Sequence, residues 1–140
     1  MNLPLYTAQL GAFLIVLQVV LMIAVGVHRA KGAFIGHDGD PDLERKVRRH
    51  GNLAENSGLF LAAFALLELI VGQTTWVLTL CLLFAAARAL HAVGFSSRAG
   101  SHGEDLTGGR KLFAAARAMG AMGTLLSAFG VAVGIVLATM

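Results

Sequence analysis

Four apolar stretches, each close to the length of a helix that crosses a bilayer, take up most of this chain. A hydrocarbon core requires roughly 20 apolar residues in a helix. The runs Tyr6 to Val27, Leu53 to Val71, Thr74 to Phe95 and Leu112 to Leu137 meet that length once interfacial residues are included. With their polar lead-in residues, the helices are expected near 6–27, 45–71, 74–95 and 112–137, within one domain spanning 1–140. A soluble body of this size would have to hide all four runs and cover its surface with the 14% of residues that are charged. At 56% hydrophobic and a mean hydropathy of +0.73, the chain is also greasier than a soluble domain, which is about 45 to 50% apolar. The fold class is therefore an all-α membrane protein, a four-helix transmembrane bundle. No Lys or Arg precedes the first run and no small-residue cleavage pattern follows it, so it reads as a retained span and not a removed signal peptide.

Charge placement orients the bundle. Only Gly72-Gln73 separates the second and third runs, which makes them antiparallel neighbours. The other connections, His28 to Gly51 and Ser96 to Lys111, are long and polar. The first carries the turn-rich Gly36-His37-Asp38-Gly39-Asp40-Pro41-Asp42, and the second carries Gly100, Gly103, Gly108 and Gly109. Arg29, Lys31, Arg45, Lys46, Arg48, Arg49, Arg98, Arg110 and Lys111 all lie in or beside these two loops. By the positive-inside rule both loops are expected in the cytoplasm and both termini on the opposite side. The sequence pI of about 9.6 does not signal nucleic acid, because the basic residues alternate with apolar spans and form no aromatic-interleaved face.

Small residues mark helix packing. Gly120, Gly123, Ser127, Gly130 and Gly134 form a smooth stripe on the last helix, which lets a neighbouring backbone approach. The lone Cys81 sits in an apolar run, excludes an intrachain disulfide and reads as packing.

Ionisable groups inside spans are expensive and point to a site with a partner. Arg45, Arg48, Asn52 and Glu55 recur at three- and four-residue spacing, on about a quarter-turn arc of the second helix, and Arg88, His91 and Phe95 do the same on the third. At 1.5 Å of rise per residue, Glu55 lies about 5 Å and Arg88 and Arg117 about 10 Å from the loop ends of their helices. Three helices thus deliver charge to one shallow layer, suited to a small, highly polar ligand beside an apolar second molecule. Competing readings are interfacial snorkelling for Arg45 to Arg49 and a structural ion pair between Arg88 and Glu55. Glu68, near the opposite end of its span, is expected to reach the interface and is given no role. His28, His37, Asp38, Asp40, His50 and His102 are irregularly spaced, so no metal site is expected. A four-helix transporter would need an ionisable group near mid-bilayer, where the first helix offers only Gln18.

The run Glu44-Arg45-Lys46-Val47-Arg48-Arg49-His50-Gly51-Asn52-Leu53-Ala54-Glu55 resembles the signature of the membrane-associated eicosanoid and glutathione metabolism (MAPEG) family. Arg88-Ala89-Leu90-His91, and Arg117-Ala118-Met119-Gly120 with Thr124, extend the resemblance over essentially the whole chain. It implies a bacterial-type member similar to microsomal glutathione transferase or prostaglandin E synthase: a homotrimer with glutathione, as cosubstrate or cofactor, bound between subunits near the cytoplasmic face. The inner membrane of a bacterium is expected over the endoplasmic reticulum. Carried over by residue, the resemblance implies Arg45, Arg48, Asn52, Glu55, Arg88, His91 and, more distantly, Arg29 as the glutathione-binding set. It implies Arg117 as the catalytic cation facing sulfur, with Arg110 as its rival. The implied activity is that of a glutathione transferase, peroxidase or glutathione-dependent isomerase acting on an apolar lipid-like or xenobiotic electrophile. The alternative is a non-catalytic glutathione- or lipid-binding regulator. Expected partners are glutathione, the apolar substrate, membrane lipids and further copies of the chain, with no nucleic acid. This sequence departs from some relatives in having Asn56 and Phe95 where they carry tyrosines, and its one tyrosine, Tyr6, lies at the far end of the first helix.

Overall fold

The computed structural model describes residues 3–32, 36–37, 39–96 and 107–140. The loop residues Asp38, Arg98, Gly100, His102 and Gly103 lie outside the described residues. Four helices follow one another: α1 (Leu5–Arg29), α2 (Pro41–Val71), α3 (Thr75–Gly94) and α4 (Gly109–Thr139), with no strand among the described residues. Each is long and apolar enough to cross a membrane. The residues leading into α1 and the C-terminal part of α4 lie near the short α2–α3 turn: Gln73 Nε2 donates to Leu3 O at 3.2 Å, and Gly134 packs against Trp76 in the first turn of α3. The two long connections therefore share the other end of the bundle.

The structure extends α1, α2 and α4 by a few residues beyond the expected bounds and trims α3 by one at each end. On α2 the added residues are 41–44, the first turn, within the polar His28 to Gly51 segment. The local chemistry explains this. Asp40 Oδ1 accepts the N–H groups of Asp42 and Leu43 at 2.8 and 3.1 Å, Pro41 occupies the first helical position, and Asp42 and Glu44 place negative charge in the first turn. Polarity had hidden a strong helix start.

A latch joins this start to the end of α1. His28 Nε2 lies 2.9 Å from Asp40 Oδ2, and Lys46 Nζ lies 2.9 Å from His28 Nδ1 and 2.8 Å from Asp42 Oδ2. An ammonium can only donate, so Nδ1 accepts and the ring proton on Nε2 is given to Asp40.

At the opposite end Glu68 corrects its expected place at the interface: its side chain is fully buried. Its carboxylate accepts Tyr6 N at 2.9 Å and Thr7 N and Thr7 Oγ1 at 2.8 Å each, so a side chain of α2 caps α1. The N-cap of α1, Pro4, has no side-chain oxygen to do this itself. The positive end of the α1 dipole and three donors offset the cost of burying the acid.

Between these ends α3 is the central helix, packing against the other three, and half of its span is buried. Phe60, Phe64 and Phe84 form an aromatic cluster in the core, with Phe60 and Phe84 stacked at 4.3 Å between centroids. Cys81 is buried there with Leu80 and Val77. The small-residue stripe of α4 performs the packing expected of it. A Cβ on Gly120 would lie 2.6 Å from His91 N and one on Gly123 2.9 Å from the Ala87 Cβ, while Gly94 returns the contact by lying against the Arg117 backbone. Outward faces stay apolar, with Ile15, Val16, Leu59, Leu82 and Phe129 all well exposed.

Two outcomes test this packing. Gly120→Ala is expected to lower the melting temperature in detergent, since backbone must move to admit the methyl, whereas Gly58→Ala, with open space around it, leaves it unchanged or raises it. The cap is testable by acid. The N–H groups of Leu43 and Asp42, with His28, hold the Asp40 carboxyl below its ordinary range. A lowered folded-state value means a stabilising contribution complete above the ordinary value and lost as pH falls through the lowered one. Thermal unfolding followed from neutral to acid pH should show this loss in the parent, and Asp40→Asn, which keeps a capping oxygen, should remove that component.

Candidate functional site

The charged layer is built around Arg88. Its position on α3 turns it inward, where only 3% of it is exposed, and its guanidinium reaches two other helices. Nη1 donates to Thr124 Oγ1 on α4 at 3.2 Å, while Nη2 donates to Asn52 Oδ1 on α2 and, at 3.5 Å, to Asn52 O. Thr124 is set up to accept because its own hydroxyl proton goes to Gly120 O at 2.8 Å. The Arg88–Glu55 ion pair considered above does not form: among the described residues no carboxylate pairs with Arg88, and Glu55 is exposed. Arg88 is thus a buried cation held by neutral oxygens, and its Nε is buried without a partner.

One turn along α3, His91 is 7% exposed and its Nδ1 is likewise buried with no hydrogen bond. The His91 ring packs on Phe95 at 4.9 Å between centroids, and the Arg117 guanidinium carbon stands 5.2 Å over the other aromatic partner, the Phe95 ring. That distance is within the range of a cation–π contact. Arg49 Nη1 donates to Ala92 O at 3.5 Å and so joins α2 to the same stretch of α3. Asn52, Arg88, His91, Phe95, Arg117 and Thr124 therefore form one connected seam at the long-loop end of α2, α3 and α4.

The remaining candidates stand differently. Arg48 and Glu55 are exposed on the same arc of α2 as Asn52, and Arg45 donates its Nε to Pro41 O at 3.1 Å near the helix start. Arg110 is exposed at the first turn of α4, two turns above Arg117. Arg29 is separated from the others: it lines a groove between α1 and the roughly opposite side of α2 and donates to Gly36 O at 3.3 Å. Within one chain Arg48, Glu55 and Arg117 are exposed at the same end as the buried Arg88 and His91.

Two contributions are not legible in the sequence. Spacing places Phe95 on the arc of Arg88 and His91, but not that it carries the Arg117 guanidinium; that match to α4 depends on how closely Gly94 lets the helix approach. Arg49 was grouped with loop charge, and no local pattern marks its reach to a carbonyl of α3.

Arg88 is the testable centre. Asn52→Leu removes its side-chain acceptor and leaves a charged donor unsatisfied in a dry seam, a loss of about 2 kcal/mol. Thermal unfolding in detergent should register it, with Asn56→Leu, whose amide only donates to Asn52 O, as the milder comparison.

A model of the MAPEG family matches residues 7–137, which takes in all four helices but their outermost residues. No curated protein matches the chain at a significant level.

Proposed function

We propose, from the premise that this chain belongs to the MAPEG family, that it is a glutathione-dependent membrane enzyme acting on apolar electrophiles or lipid hydroperoxides. It is an integral membrane protein of four helices, in a family whose members are glutathione-related transferases, peroxidases or isomerases. The observation that carries the proposal is the Arg88 seam: a cationic layer at membrane depth with buried donors still lacking acceptors. Arg88 Nε and Arg49 Nε both lack hydrogen-bond partners, and on the same layer Arg48 and Arg117 are exposed with the carboxylate of Glu55. Glutathione has two carboxylates and one ammonium, which is the complement of that charge pattern, so the residues present fit it.

In this reading Arg45, Arg48 and Arg49 attract the carboxylates as forked donors, and Arg88 with His91 supports the floor. Asn52, its carbonyl oxygen committed to Arg88, offers its amide N–H groups, and Glu55 takes the ammonium. Glutathione supplies the thiol whose sulfur is the nucleophile. Arg117, held over Phe95, places a fixed positive charge that favours thiolate over thiol. Arg110 is its rival for that role.

An exposed acid and two exposed guanidinium groups at this depth need covering in lipid. A neighbouring copy would do so, which favours a homotrimer with sites between subunits and gives Arg29 a route to a neighbour's site. The long-loop end is assigned to the cytoplasm and the protein to a bacterial inner membrane. The regulatory reading is favoured by one feature: the aromatic ring beside Arg117 is Phe95, with no hydroxyl to assist sulfur, and Tyr6 is at the other end of the bundle.

Calorimetric titration of the detergent-solubilised protein with glutathione tests both readings. Glu55→Ala is expected to weaken binding by about tenfold or more, the loss of one charged hydrogen bond. Arg117→Ala should retain measurable binding while losing the ultraviolet absorbance of bound thiolate and turnover of a generic electrophile. Parent-like behaviour of both variants would overturn the site, and binding without thiolate in the parent would favour the regulator.

A further inference from the structure

Arg88 and Arg117 are held by opposite means. Arg88 commits Nη1 and Nη2 to Thr124 and Asn52, whereas Arg117 makes no hydrogen bond or ion pair among the described residues. What meets its guanidinium is the Phe95 ring, with the guanidinium carbon 5.2 Å from the ring centroid. An aromatic face attracts a cation through the ring quadrupole and takes up none of its N–H groups. Arginine suits such a contact because its planar guanidinium can stack on a ring and still present donors at its edge.

The ring itself is anchored. Phe95 directly follows the last residue of α3, and its N–H donates to His91 O at 3.1 Å, which closes the helix and sets where the side chain leaves it. The buried His91 imidazole lies against the ring at 4.9 Å between centroids. A Cβ on Gly94 would come within 2.6 Å of Arg117 N and 2.8 Å of Arg117 Cβ, so the end of α3 touches the backbone from which the Arg117 side chain starts. Phe95 is half-buried while Arg117 is exposed, which makes the ring the fixed member of the pair and the guanidinium the presented one.

We infer that Phe95 is a positioning residue: its ring face fixes the Arg117 guanidinium and leaves the N–H edge open to the sulfur of bound glutathione. The inference rests on the proposed glutathione chemistry and goes beyond it by giving the supporting role to an aromatic face and not to a phenol hydroxyl. Without the ring, a long cationic side chain at this level swings towards headgroups and water. The bound sulfur then loses a positive charge at fixed distance, and the thiol form gains over the thiolate. On this inference sulfur activation does not need the hydroxyl that Phe95 lacks, which weakens the feature favouring the regulatory reading.

The detergent-solubilised full chain tests this with Phe95→Leu and Phe95→Tyr. In the ligand-free parent the ring current should displace the Arg117 δ-methylene protons upfield in the NMR spectrum. Phe95→Leu should abolish that displacement, and Phe95→Tyr, which keeps the face, should retain it. With glutathione bound, Phe95→Leu should raise the pH at which thiolate absorbance appears by about one unit and lower kcat for a generic electrophile about tenfold, with glutathione affinity within about twofold of the parent. Phe95→Tyr should restore both. In an Arg117→Ala background Phe95→Leu should leave the titration where it is, because the ring acts through Arg117. A parent without the upfield displacement, an unmoved titration in Phe95→Leu, or an equal movement in the Arg117→Ala background would each overturn the positioning role and leave the enzyme reading intact. A parent that shows the displacement but forms no bound thiolate would instead overturn the enzyme reading and, with it, the role given to Phe95.

Discussion

A full positive charge buried among three helices, held among the described residues by neutral oxygens, sets the terms for the rest of this protein. Arg88 cannot release its proton, and in the dry interior each unmet N–H is costly. Asn52 and Thr124 must therefore stay where they are, which fixes the rotation of α2 and the register of α4 against α3. The register is then reinforced by packing. Gly120 lies against His91 and Gly94 against Arg117, so the backbones approach closely at the same level where the hydrogen bonds are made. A bundle in lipid has little hydrophobic force between its helices, and polar bonds with close contact supply the specificity that force would otherwise provide.

The helices are secured differently at their two ends. At the long-loop end, His28, Asp40, Asp42 and Lys46 join α1 to α2 through groups near water, and Arg88 and Arg49 join α3 to its neighbours. At the turn end, Glu68 is buried and caps α1 from α2. Arg88 and Glu68 are both buried and both bonded by uncharged partners, although Arg88 Nε is left without one. Neither charge is neutralised by the other, since one serves the loop end and one the turn end.

The seam around Arg88 also explains why chemistry would be placed there. The guanidinium floor is held by Asn52 and Thr124, with exposed cations and the Glu55 acid on the same layer, and a charged ligand would bring acceptors to donors the fold leaves unmet. The open outer face of that layer is consistent with a site completed by another copy.

Hydropathy and charge along the chain were enough to determine four apolar helices of spanning length and the end of each helix at which Asn52, Arg88 and Arg117 lie, because hydropathy and 3.6-residue periodicity act on each segment alone. Helix ends were less legible: the first turn of α2, 41–44, reads as loop because its caps are polar, and capping competes with hydropathy in the same residues. Partnerships were not legible at all. Arg88 was equally well placed for Glu55 or Asn52, and Glu68 equally well placed for solvent or for the amides of α1. Those choices depend on the rotation of each helix about its axis and on how near glycine lets the next backbone come, quantities that exist only once the four helices are packed together.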